Sequence, residues 1–194
     1  MGDEAYGPKG DPSRHLEMAA LQAAWEALEP PPRDHGRVAM LVARQPDGSR
    51  ELPQRVVLSS QDGLTGDRWA RTDSDRPDRQ LAVMRRDVAE LVANGQPIEH
   101  AGDNLFVDLD LSTDNLPIGS RLRVGKALVE VSAEPHTGCL KFRGRFGADA
   151  LKFISNPALR DTHLRGIYWT VIEAGEVAVG DSIEVVSRAG SSPG

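Results

Sequence analysis

Apolar residues follow two different spacings along this chain. Between residues 11 and 28, Leu16, Ala20, Leu21, Ala24, Trp25 and Leu28 recur on one face at helical spacing. Asp11 can accept from the first turn, and Pro12 suits the first helical position, where its missing N–H would be unpaired anyway. Glu29-Pro30-Pro31-Pro32 ends the pattern. One amphipathic helix over 11–28 is predicted, packed either on its own domain, the simpler arrangement, or on a second subunit.

Beyond the prolines the pattern shortens to β segments separated by turn residues. Residues 37–44 read as a strand, and Gln45-Pro46-Asp47-Gly48 turns the chain into 52–59. Residues 80–84 and 103–109 are further strands. Leu122 and Val124 face Ala127, Val129 and Val131 across a Gly125-Lys126 hairpin turn. Ile167, Trp169 and Val171 alternate with Tyr168, Thr170 and Ile172, and 182–186 closes the series. Val88, Leu91 and Val92 mark a short helix stopped at Gly95; Phe146, Ala150, Leu151 and Ile154 mark another. Many short strands without regular strand–helix alternation predict a mainly β protein, a small barrel with helical insertions. The expected organisation is a helix and proline linker over 1–35, a barrel over 36–187, and a disordered tail over 188–194.

Composition narrows the function classes. A net charge of −6 and 5% aromatic residues disfavour nucleic acid as a partner, since such binding draws on basic faces and base stacking. The longest apolar run, 38–43, is far short of a membrane span, and the N-terminus does not read as a signal peptide. With a single cysteine no internal disulfide forms, and a cytoplasmic location is expected.

That cysteine, Cys139, lies in Pro135-His136-Thr137-Gly138-Cys139-Leu140-Lys141-Phe142-Arg143, where proline and glycine break regular structure. A lone cysteine is commonly an inert core residue, but a loop cysteine beside His136, Lys141, Arg143 and Arg145 has cations to favour its thiolate. His136 and Cys139 also form an H-x-x-C pair. A closed zinc site needs four ligands, and His15, His35, His100 and His163 show no pairing, so structural zinc is not expected. A cofactor's metal taking one protein thiolate stays open. Gly63-Leu64-Thr65-Gly66-Asp67-Arg68 is either an anion-binding loop or a turn in which Asp67 and Arg68 pair.

The order of several weak motifs is more specific than any one. That glycine-rich segment is followed by Arg79-Gln80-Leu81-Ala82-Val83-Met84 and Gly102-Asp103-Asn104-Leu105. Then come Leu116-Pro117-Ile118-Gly119, His136-Thr137-Gly138-Cys139, Arg165-Gly166-Ile167 and Gly175-Glu176-Val177-Ala178-Val179-Gly180-Asp181. From about Arg37 to Val186 the chain resembles the MOSC domain family, named for the C-terminal domain of molybdenum-cofactor sulfurase. The resemblance implies a β-barrel similar to the small barrel domain of pyruvate kinases, with Cys139 at its mouth as the catalytic sulfur and the metal ligand.

It further implies molybdenum-cofactor binding or sulfur transfer, with Arg68, Arg79 and Asn104 at recurrent polar positions. A molybdopterin carries a phosphate and a metal dithiolene, and His136 and Lys141 add to the groups suited to hold it. Three activities follow from the resemblance: a cofactor-binding or sulfur-carrying protein, a reductase of N-hydroxylated compounds fed by an electron-donor protein, or a non-catalytic adaptor. The pyridoxal-phosphate desulfurase domain of some relatives is not expected here, so a sulfur carrier would need a separate cysteine desulfurase. Trp69 stands where relatives often carry histidine, and no proton-transfer role is expected there.

Overall fold

Alternation of inward and outward side chains builds the framework. The structure, a computed structural model, describes residues 7–190. Its elements are α1 (Met18–Glu26), β1 (His35–Leu41), β2 (Ala43–Arg44), β3 (Arg50–Glu51), β4 (Arg55–Ser59), β5 (Gly63–Leu64), α2 (Trp69–Thr72), β6 (Leu81–Arg85), α3 (Arg86–Ala93), β7 (Leu105–Asp108), β8 (Arg121–Val124), β9 (Ala127–Val131), α4 (Leu140–Phe146), α5 (Ala148–Ile154), β10 (Ile167–Glu173), β11 (Gly175–Ala178) and β12 (Ser182–Ser187). Short 3-10 turns punctuate them. The strands β1, β12, β8, β9, β10, β6 and β7 close in that order into a barrel. Every pairing is antiparallel except β6 with β7, which run parallel and are connected through α3. Two smaller sheets, β11-β4-β5 and β2-β3, flank it.

Strand period separates two cores. Val83, Leu105, Val107, Val129, Ile167 and Trp169 fill the barrel interior. Their neighbours Met84 and Phe106 point the other way, into a second cluster with Leu21, Val88, Val92, Phe142, Phe146 and Phe153. All five residues of β6 are therefore buried, one face inside the barrel and the other under the helices.

The N-terminal helix lies outside the barrel and packs on its own domain, against α3 and α5. Trp25 meets Phe153 edge-on at 6.5 Å, and the Arg85 guanidinium stands 5.3 Å above the Trp25 ring. The expected single helix over 11–28 is two pieces. Asp11 caps a 3-10 turn over Pro12–Arg14 by accepting from Ser13, and α1 begins only at Met18. Extended backbone at His15 and Glu17 separates them, because the His15 Nε2 and the Met18 N–H are engaged by Arg145 O and Asp149 Oδ2 on the facing helices. Ala20, expected on the buried face, is exposed.

Other differences are local. The helix expected near Phe146 is two, α4 and α5, split at Gly147, whose φ of +98° interrupts the helical backbone. The strand expected over 52–59 starts at Arg55, past Pro53, which has no N–H for pairing. The short strands β5 and β11 carry too few residues to show a period. Arg188, assigned to the tail, is anchored: its guanidinium donates to Asp34 Oδ1 at 2.6 Å and to Asn115 O at 2.9 Å. Residues 191–194 lie outside those described. No described helix is long and apolar enough to cross a membrane.

Candidate functional site

At one end of the barrel, loops from distant parts of the sequence surround a cavity of about 280 Å³. Arg44 and Arg50 reach it from β2 and β3, Arg68 from the residue preceding α2, and Arg79 from the turn before β6. His136, Thr137 and Cys139 come from the loop after β9, Lys141 and Arg145 from α4, Arg165 from the turn before β10 and Tyr168 from β10 itself. Gly7, Gly48 and Gly102 add backbone to the wall. Gly102 has φ +91°, and a Cβ there would stand 3.6 Å from the Arg145 guanidinium. In a chain of net charge −6, this is a concentrated positive site.

Carboxylates neutralise only part of it. Asp67 is buried and takes Arg44 Nε at 2.9 Å and Nη2 at 2.8 Å, and also the N–H groups of Arg44 and Trp69. Burial alone would raise the Asp67 carboxyl, but these bonds hold it below the usual carboxylate range. Asp103, with no exposed side chain, accepts from Arg165 Nη1 at 2.9 and 2.8 Å. There burial wins and pushes the carboxyl up, against the opposing pull of Arg165. Arg79 pairs with Glu134. Arg50 and Arg68 have no carboxylate partner among the described residues. Burial and the neighbouring Arg145, Arg44 and Arg68 press the Arg50 guanidinium down to about 10, and its Nε is buried without a hydrogen bond. A like-charge cluster of this kind suits an anion that has more than one charged oxygen.

His136 is the hinge of the site. Its side chain is 6% exposed, its Nδ1 lies 3.5 Å from Asp103 Oδ1 without a hydrogen bond, and its ring packs on Tyr168 at 4.4 Å. Burial first, then Arg165, Arg44 and Arg79, push its pKa well below the ordinary histidine value, so it stays neutral at pH 7. Cys139 is exposed and stands just before α4, with no side-chain cap bond. Among the described residues no three His, Cys, Asp or Glu side chains cluster as a metal site.

Five of the six positions expected at the site line this cavity: Cys139, Arg68, Arg79, Lys141 and His136. Asn104 does not. It is fully buried, accepts from Ala82 N at 3.1 Å and donates to Val42 O at 3.3 Å, which ties β6 to the segment after β1. Arg143, expected beside Cys139, is exposed and outside the lining. Asp67 pairs with Arg44 and not with Arg68. Sequence pattern missed Arg44, Arg50 and Tyr168, which sit in no motif. It singled out Gly102-Asp103 and Arg165-Gly166 without showing that Asp103 and Arg165 pair. Trp69 is buried at 3% exposure.

The chain matches the model of the MOSC domain over residues 61–184. A curated relative, the uncharacterized protein YflK of Bacillus subtilis (strain 168), is 33% identical over 95 residues. That match covers 48% of this chain and 40% of the relative, so it spans less than half of either. Among solved structures, YuaD from Bacillus subtilis aligns with a TM-score of 0.54 and 19% identity, covering 78% of this chain and 95% of that one. YiiM from Escherichia coli aligns with a TM-score of 0.53 and 24% identity, covering 80% and 72%. At those identities the two structures share the fold. With the family model matching more than half of its length, the chain belongs to the MOSC domain family.

Proposed function

We propose that this MOSC domain binds molybdenum cofactor in the cationic cavity, with Cys139 as the protein's sulfur ligand. The observation that carries the proposal is the convergence of Arg50, Arg68, Arg79 and Lys141 around an exposed thiol. The residues fit the group on chemical grounds. A pterin phosphate needs several donors, and, among the described residues, Arg50 has a buried Nε with no partner and Arg68 no carboxylate. A soft metal centre accepts a thiolate, and Cys139 stands at the same cavity.

When bound, the cofactor supplies a redox-active metal for oxygen-atom and electron exchange. The chain's own residues bind and orient it. Arg50 and Arg68 would hold its negative oxygens, Tyr168 and neutral His136 would border it with rings tilted 39° to each other, and Asp67 and Asp103 fix Arg44 and Arg165 so that they hold their places. Reduction of N-hydroxylated compounds, with electrons from a separate donor protein, is the activity this arrangement suits. The exposed Cys139 favours a second function, carriage of a persulfide delivered by a cysteine desulfurase. Molybdenum and pterin analysis of protein purified from a cofactor-competent host tests the first. Near-stoichiometric content that falls at least about tenfold in Arg68→Glu supports it. A metal-free protein whose intact mass gains one sulfur atom supports the second instead.

A further inference from the structure

A second cavity, of about 560 Å³, lies against segment 135–138. His136, Thr137 and Arg165 line both cavities, so one short stretch of chain partitions them. Gly138 lets the partition lie directly on α5: a Cβ there would stand 2.3 Å from Leu151 Cδ1 and 3.1 Å from Ile154 Cδ1. The second cavity has a different chemistry. Val131 and Ile167 from the barrel, Ile154 from α5, and Leu164 form its apolar wall. Ile118 also lines it and is 62% exposed.

Charge does not accumulate there. Arg160 and Asp161 are opposite in sign, Glu134 is engaged by Arg79, and Arg165 is paired with Asp103. His163 is kept neutral by burial, against the pull of Asp161 and Asp110, and its Nε2 lies 2.9 Å from Thr113 Oγ1. A cavity of this size and lining suits a small organic molecule with an uncharged apolar body. Among the described residues, two buried polar atoms on the shared wall have no hydrogen-bond partner: Arg165 Nε, and His136 Nδ1 on a side chain more than nine-tenths buried.

We propose that this apolar cavity is the subsite for the body of an uncharged, ring-sized organic substrate, whose polar group lies against His136 and Thr137 and faces the cationic cavity. The subsite stands on this cavity's own chemistry; only the reaction of the polar group rests on the cofactor proposal above.

The test needs no cofactor. Full-length protein is titrated with N-phenylnaphthylamine, an uncharged aromatic fluorophore, and the same titration is followed by methyl NMR. Saturable fluorescence gain with shifts at the methyls of Ile118, Val131, Ile154 and Ile167 is expected. Ser155→Trp, at an exposed lining position, should weaken binding at least about tenfold by filling the cavity, and Ile118→Asp should weaken it in the same direction. If Ser155→Trp does not fold, Ile118→Asp carries the test. Inorganic phosphate should not displace the probe. Absence of saturable binding, unchanged affinity in a folded variant, or displacement by phosphate would overturn the proposal. A protein that binds the probe but no molybdenum would retain the subsite and refute the cofactor proposal alone.

Discussion

Replacing Asp67 with asparagine should be the most damaging single-atom change near the site. Oδ2 of Asp67 accepts from the Arg44 N–H at 2.7 Å and from Arg44 Nε at 2.9 Å. Oδ1 accepts from Arg44 Nη2 at 2.8 Å and from the Trp69 N–H at 2.9 Å. Whichever oxygen becomes the amide nitrogen, two buried donors lose their acceptor and face another donor. The Arg44 charge, only 15% exposed, also loses its counterion. Breaking a buried pair in this way costs about 3–5 kcal/mol. For a chain of this size that lowers the melting temperature by roughly 6–20 °C.

Urea and thermal unfolding of wild type and Asp67→Asn, each at neutral and at acidic pH, measure it. The sign with pH is fixed by the depressed Asp67 carboxyl. Its contribution is fully present above the unfolded value of about 3.9 and is lost as pH falls through the lower folded value. The gap between the two proteins should therefore narrow in acid. A neutral-pH loss below about 1 kcal/mol, the range of exposed ion pairs, would refute the reasoning. So would a gap that widens in acid.

Three further substitutions follow from the geometry. Arg50→Met removes a cation crowded by Arg145, Arg44 and Arg68, so the apo protein should melt no lower while its affinity for inorganic phosphate falls; a lower melting point with unchanged phosphate affinity would contradict this. Gly138→Ala should cost about 1–3 kcal/mol in urea melts, because its Cβ must displace the tip of Leu151; a neutral effect would mean the partition is not pressed on α5. Gly166→Ala should cost at least about 2–3 kcal/mol, since φ is +95° and the new Cβ would meet Val83 O at 2.0 Å beside the β10–β6 pairing. Wild-type stability in that variant would place the strain elsewhere.

Periodicity carried most of the barrel because its strands have one face in the core. β8 and β10 follow their alternation closely, and β9 departs from it at Leu128, which is buried between Ala127 and Val129. It failed where tertiary contacts overrule local pattern. His15 and Met18 give up helical continuity to bonds with α4 and α5, which no window of sequence contains. The site divides in the same way. Cys139, Arg68 and Arg79 stand in ordered motifs, whereas Arg44 and Arg50 reach the cavity through the small β2–β3 sheet, whose register is set by pairing alone. Asn104 looked like a ligand-binding residue because a buried asparagine and a binding asparagine look identical in sequence. Only its bonds to Ala82 and Val42 separate the two. The partition between the cavities left one trace in the sequence, Pro135 and Gly138 flanking His136, and its meaning depends on the approach of α5.

The central claim is that Cys139 ligates a cofactor metal within the cationic cavity, and the sulfur shell of that metal tests it most directly. Molybdenum X-ray absorption on natively purified wild type and on Cys139→Ser, prepared in the same host, counts the sulfur neighbours in each. Because Cys139 is exposed and makes no side-chain cap bond, the serine variant should fold as the wild type does. The account predicts one fewer sulfur neighbour in the variant, with the pterin sulfurs retained or the metal lost altogether. A wild-type protein without molybdenum, or an identical sulfur shell at equal metal content in the two proteins, would contradict it.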